Sequence, residues 1–214
     1  MGMPEDTNES TPTALTPAEA WRKLREGNER FTSGTTNHPN QDASRRSALV
    51  NTQHPFAVIF GCSDSRLAAE IIFDVGLGDV FVVRTAGHVP DDAALGSLEY
   101  SVALLHVPLI VVLGHDSCGA VTATMEAFAS GTMPPGFIRD LVERITPSVI
   151  TAQRAGITDV NTTVEEHVKQ STHRLVDTSK IISDAVDAGE TAVIGVTYRL
   201  EEGRAEVVTG FGNL

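Results

Sequence analysis

Short, continuous apolar runs alternate with amphipathic stretches over most of the chain. Residues 56–60 (FAVIF), 80–83 (VFVV), 109–113 (LIVVL) and 192–196 (AVIGV) carry β-branched or aromatic side chains with no polar alternation. Runs of this kind suit strands buried on both faces, as in a parallel sheet. Residues 205–209 follow the last run after Glu201-Glu202-Gly203, a turn short enough only for an antiparallel hairpin. Between the runs the pattern predicts helices over 67–73, 92–105, 118–129, 138–149 and one long helix over 160–188. In the last, Val164, Val168, Leu175, Ile182 and Val186 share a face. The predicted fold is α/β: a mostly parallel sheet of about four strands, one antiparallel edge strand and flanking helices.

The region before the first strand reads differently. Residues 1–15 are polar and Pro-containing and predict a disordered or partner-docked arm. The remainder, 16–214, is expected to form one α/β domain. Thr16-Pro17-Ala18-Glu19 has the form of a capping box with proline at the first helical position. Trp21, Leu24 and Phe31 then make an apolar stripe on a helix ending near Gly34, followed by a polar loop and a short helix near 44–51. The stripe is expected to cover a surface on a neighbouring subunit.

Composition narrows the partners. Of 214 residues, 28 are acidic and 16 basic, giving a formal net charge of −12, so a basic footprint for nucleic acid or anionic membrane is missing. No apolar run approaches the roughly 20 residues of a spanning helix, and the first sixteen residues lack the form of a secretory signal, so a cytoplasmic location is expected. Two cysteines do not make a disulfide scaffold and point to buried thiols or to chemistry.

Their positions favour chemistry. In open α/β sheets the working site lies beyond the carboxyl ends of the strands. Cys62 follows the first run in Gly61-Cys62-Ser63-Asp64-Ser65-Arg66, and Cys118 follows the third in Gly114-His115-Asp116-Ser117-Cys118-Gly119. Two thiolates and an imidazole suit tetrahedral Zn²⁺ with one position left for water, and a helix start at Cys118 favours thiolate. Taken singly, a free cysteine is most often a small buried residue. Asp64 and Arg66 admit two readings. Either Asp64 caps a helix starting near Arg66 beside a weak surface ion pair, or it is a carboxylate kept ionised and aimed at the metal's open position. The histidines at 38, 54, 88, 106, 167 and 173 lack ligand-like spacing, and His167 and His173 read as solvated helix-face residues.

The paired motifs Cys62-Ser63-Asp64-Ser65-Arg66 and Gly114-His115-Asp116-Ser117-Cys118-Gly119-Ala120 strongly resemble the β-class carbonic anhydrases. The likeness runs from about Trp21 to the C-terminus and includes Phe81-Val82-Val83-Arg84-Thr85-Ala86-Gly87 and Leu98-Glu99-Tyr100. The resemblance implies one zinc per chain on Cys62, His115 and Cys118, with Asp64 and Arg66 controlling the fourth position and Asp64 itself a ligand in a closed state. It implies that Gln53 and the Gly119 amide hold substrate, and that Phe81 and Tyr100 line a carbon dioxide pocket from the neighbouring subunit of a homodimer or tetramer. The implied reaction is reversible hydration of carbon dioxide to bicarbonate and a proton by a zinc-activated hydroxide. Two thiolates leave zinc less charge than three imidazoles would, so activity should favour alkaline pH. A regulated bacterial branch carries a Trp three residues before the first zinc cysteine, in a pocket where bicarbonate inhibits. Ile59 stands there in this chain, although Arg84 and Tyr198 occupy the pocket's other two positions, and Ala86 is smaller than the Val common in the substrate wall. Three rivals remain: a carbon disulfide or carbonyl sulfide hydrolase of the same fold, a thiol enzyme using Cys118 with His115 as base, and a non-catalytic zinc-stabilised binding module.

Overall fold

A computed structural model describes residues 15–214. The arm expected over 1–15 therefore lies, apart from Leu15, outside the described residues. Five strands form one sheet: β1 (Ala57–Cys62), β2 (Val80–Thr85), β3 (Leu109–His115), β4 (Ala192–Arg199) and β5 (Arg204–Phe211). Their order is β2-β1-β3-β4-β5. The first three pairings are parallel and β4 with β5 antiparallel, as the apolar runs and the short 200–203 turn predict. β1 and β3 are buried along their whole length, which is why their sequences show no alternation.

The strands run past their apolar cores, and this matters for function. β1 continues through Gly61 and Cys62, which pair with Arg84 and Thr85 of β2, and β3 continues to His115, which pairs with Tyr198 of β4. Cys62 and His115 are thus the last residues of adjacent strands, not loop residues beyond them.

Helices cover both faces: α1 (Pro17–Ser33), α2 (Ala43–Ala48), α3 (Ala69–Ile72), α4 (Asp92–Ala103), α5 (Gly119–Ser130), α6 (Ile138–Arg154), α7 (Val160–Thr178) and α8 (Lys180–Asp187). The capping box at Thr16 and Glu19 forms, and left-handed Gly34 ends α1. Within the chain Leu24 of the α1 stripe is fully buried, and Trp21 and Phe31 pack on the same core while staying partly exposed. Gly27 allows this close docking, because a Cβ there would lie 1.8 Å from the Phe73 carbonyl oxygen.

The expected long helix over 160–188 is two helices. Ser179 takes extended dihedrals, caps α8 by accepting from the Ile182 amide, and donates to Glu99 of α4 at 2.6 Å. A serine hydroxyl that satisfies a helix start competes with helix continuation. His167 is a second correction, being buried on the inner face of α7 with Val164, Val168, Ser171 and Leu175, whereas His173 is exposed as expected.

Candidate metal centre

The carboxyl ends of β1 and β3 and the start of α5 converge on one point. The Cys62 and Cys118 sulfurs and a ring nitrogen of His115 all lie within 4.8 Å of one another, and all three residues are buried. Among the described residues no other trio of Cys, His, Asp or Glu converges in this way. Cys118 is the residue preceding the first turn of α5, so it stands at the positive end of that helix.

His115 is held for a ligand. Its Nδ1 lies 2.8 Å from the Asp116 carbonyl oxygen, which can only accept, so Nδ1 carries the proton and Nε2 the lone pair. That Nε2 is buried without a hydrogen-bond partner. A buried lone pair left unsatisfied is costly unless something else meets it. Burial pulls the His115 pKa down, but the charge of the neighbouring Cys62 sulfur holds it above its ordinary value.

The two thiols are unequal. The Cys118 thiol beside Cys62 outweighs burial; His115 and the amides of Asp64 and Gly87 add to the effect, and the Cys62 thiol is held well below its ordinary value. The Gly87 N–H donates to the Cys62 sulfur at 3.2 Å. Cys118 is pushed well up, first by its contact with Cys62 and then by burial. Two sulfurs and an imidazole, all buried, with an orphaned nitrogen, fit Zn²⁺.

Asp64 stands beside this group and belongs to another pair. Arg66 Nε donates to its Oδ1 at 2.9 Å and Nη2 to its Oδ2 at 2.8 Å, a bidentate fork, and the Arg66 amide adds a third bond at 2.9 Å. Oδ2 also lies 3.8 Å from His115 Nε2. The Arg66 hydrogen bond, working against partial desolvation, holds the Asp64 carboxyl well below the usual carboxylate range. Asp64 caps no helix: α3 begins only at Ala69, preceded by Ala68 with no side-chain cap. Arg84 binds the backbone of the same loop, donating to the Cys62 carbonyl at 3.0 Å and to the Asp64 carbonyl at 2.6 Å.

The match to known proteins is extensive. The model of the family described as carbonic anhydrase covers residues 57–205. A protein named carbonic anhydrase 2, from Mycobacterium tuberculosis, is 54% identical over 92% of this chain and 96% of its own. The chain belongs to the carbonic anhydrase family. A carbonic anhydrase of Mycolicibacterium smegmatis is 52% identical over the same shares. The fold is that of the β-class: one of two tetrameric β-carbonic anhydrases of Sordaria macrospora superposes with a TM-score of 0.69 at 22% identity, covering 89% of this chain and 98% of that one. The β-carbonic anhydrase CafA of Aspergillus fumigatus gives 0.68 at 23% identity, with 89% of each chain covered.

Not every residue that the family resemblance singles out meets at the metal centre. Gly119 does, as the first residue of α5, where its amide has no intrahelical acceptor and a Cβ would meet nothing within 4 Å. Gln53, Phe81 and Tyr100 do not. Phe81 precedes Thr85, the β2 residue in register with Cys62, by four positions, about 13 Å along the strand. It stacks instead on Tyr100 of α4, with ring centroids 6.2 Å apart. Gln53 and half-exposed Tyr100 share an open cavity of about 620 Å³ with Leu49, Val50 and Leu105. Sequence reasoning missed His88 and His167, which lie buried against each other beneath the site with ring centroids 4.4 Å apart. The signal for His167 was present, since 164, 167, 168, 171 and 175 are one helical stripe.

Proposed function

We propose that this chain catalyses the zinc-dependent, reversible hydration of carbon dioxide to bicarbonate and a proton. The observation that carries the proposal is the juxtaposition of the Cys62–His115–Cys118 trio with a carboxylate, Asp64, fixed by a bidentate arginine. Cys62, His115 and Cys118 would hold zinc, which would supply Lewis acidity and lower the pKa of a bound water. Asp64, ionised and neutralised by Arg66, offers an oxygen that accepts a hydrogen bond from this water and thereby directs its lone pairs outward. The Gly119 amide, at the positive end of α5, holds the oxygen on which charge develops as bicarbonate forms. Engaged by Arg66, the Asp64 carboxylate would be held from ligating a metal on the trio.

Gln53, Phe81 and Tyr100 act in a second copy's site. Within one chain they lie away from the trio, at the β2 edge, where Val80, Phe81 and Val83 are only half-buried. An apolar edge strand flanked by exposed Val50, Tyr100 and Leu104 is a surface that another chain covers. A homodimer, or a tetramer built from two, therefore completes the carbon dioxide pocket.

Zinc analysis with stopped-flow hydration on the purified full chain tests the proposal. We expect one zinc per chain and a rate that rises toward alkaline pH. Zinc present with carbonyl sulfide or carbon disulfide hydrolysis but no carbon dioxide hydration would assign the same fold to a different substrate, and absent zinc would leave a thiol enzyme.

A further inference from the structure

His167 is buried and spends both ring nitrogens on partners within the chain. Nε2 lies 2.9 Å from the Gly87 carbonyl oxygen, so it carries the proton and donates. Nδ1 is then the acceptor and faces the Ser148 hydroxyl at 2.9 Å, the shorter of that hydroxyl's two contacts, the other being Gln170 Oε1 at 3.1 Å. Ser148 sits on α6 and His167 on α7, so the ring is oriented by one helix and carried by the next. The residue it holds, Gly87, donates its own N–H to the Cys62 sulfur at 3.2 Å.

Gly87 has little freedom to make these two bonds in any other way. It is left-handed, with φ 66° and ψ 23°, at the centre of the short 3₁₀ turn Ala86–His88. A Cβ there would stand 2.8 Å from the Ala120 Cβ and 2.9 Å from the Ile145 Cδ1. Ala120 belongs to α5, the helix that Cys118 precedes, and Ile145 to α6, so the turn is wedged between the metal-site helix and the helix carrying Ser148. His88, the next residue, packs its ring on that of His167 and edge-on to Phe60 of β1. Rotating the turn away from Cys62 would cost the His167 hydrogen bond and unstack two buried rings.

We propose that His167 is a positioning residue of the metal centre: by holding the Gly87 carbonyl it aims the Gly87 amide at Cys62. An amide bond to a metal-bound thiolate orients the sulfur and withdraws charge from it, and the partners of ligands set how firmly a metal is retained. The inference rests on the zinc reading above. It extends the site to α7, an element that supplies no ligand.

The test uses the full-length, zinc-loaded chain, with the rate of zinc transfer to excess colorimetric chelator as the readout. His167→Phe keeps the aromatic volume and removes the donor, and release should be about 10–100-fold faster than in wild type. His167→Gln restores an N–H near the Gly87 carbonyl and should return release to within a few-fold of wild type. In the cobalt-substituted protein, the thiolate-to-cobalt charge-transfer band should shift in His167→Phe and not in His167→Gln. A wild-type release rate in folded His167→Phe would overturn the proposal, as would His167→Gln releasing zinc as fast as His167→Phe. If His167→Phe does not fold, Ser148→Ala carries the test. It frees the ring from one side, so several-fold faster release supports the proposal and a wild-type rate overturns it. Wild-type protein that takes up no zinc would overturn the zinc reading itself, whereas zinc-loaded proteins that release alike would overturn the role of His167 alone.

Discussion

At the scale of single residues, the assignment of Cys62, His115 and Cys118 has a sharp consequence. Cys62→Ser or Cys118→Ser replaces a soft sulfur with a hydroxyl that binds zinc poorly. Each variant should lose its metal by elemental analysis and unfold at lower denaturant, and a fully occupied site in either would overturn the ligand set. The trio was legible in the sequence because strand–Gly–Cys and strand–Gly–His place side chains at the carboxyl edge of any parallel sheet. The state of Asp64 was not. Whether that carboxylate caps a helix, ligates metal or forks to Arg66 depends on angles that spacing does not carry. Here the 2.8 and 2.9 Å bonds show the fork to Arg66, and the late start of α3 removes the helix cap. The burial of His167 runs against its polarity but matches its register, which falls on the buried stripe of α7.

At the scale of elements, the strands and the antiparallel closing hairpin followed from the apolar runs and the short 200–203 turn, while the strand order came only with the structure and helix ends turned on local hydrogen bonds. Ser179 divides the last helical stretch by capping its second half, and Asp-Thr-Ser at 177–179 was the available hint. Asp74, which no motif marks, anchors the connection between α1 and α2. Its side chain is 1% exposed and accepts from Arg30 Nε at 2.6 Å and from the amides of Asn37 and His38 at 3.0 and 2.9 Å. Burial pushes the Asp74 carboxyl up, yet the Asn37 amide, Arg30 and the His38 amide together hold it below its usual value. Because the folded pKa is lowered, the stabilisation is complete above the ordinary carboxylate range and is lost as pH falls through the lowered value. Asp74→Asn should therefore cost about 1–3 kcal/mol in denaturant melts at neutral pH. The difference from wild type should shrink in strong acid, and an Asp74→Asn melt that matches wild type at neutral pH would refute the anchor.

At the scale of the whole molecule, two neutral imidazoles sit in the core. Burial pushes both down, His167 to about 4 and His88 well below its ordinary value. Their stabilising contribution is full above the unfolded histidine pKa of about 6.5 and is lost progressively as pH falls below it, since the unfolded chain takes up protons that the native one refuses. For His167 alone this amounts to about 2 kcal/mol by pH 5. The loss of stability between about pH 6.5 and 5 should be shallower in His167→Gln than in wild type, and equal slopes would contradict it.

Assembly is tested at the same scale. If a second copy covers the apolar β2 edge and Phe81, Tyr100 and Gln53 beside it, as proposed, sedimentation should show a dimer or tetramer. Charged substitution of Phe81 should cause both dissociation and loss of activity, and a fully active monomer would overturn the shared pocket. The most direct measurement of the central claim is stopped-flow carbon dioxide hydration by zinc-loaded wild type and Asp64→Asn side by side. The account predicts an active wild type, and in Asp64→Asn a retained zinc with kcat/KM about 10²–10⁴-fold lower, as expected for one positioned catalytic group. Equal rates in the two proteins, or no hydration by zinc-loaded wild type, would contradict it.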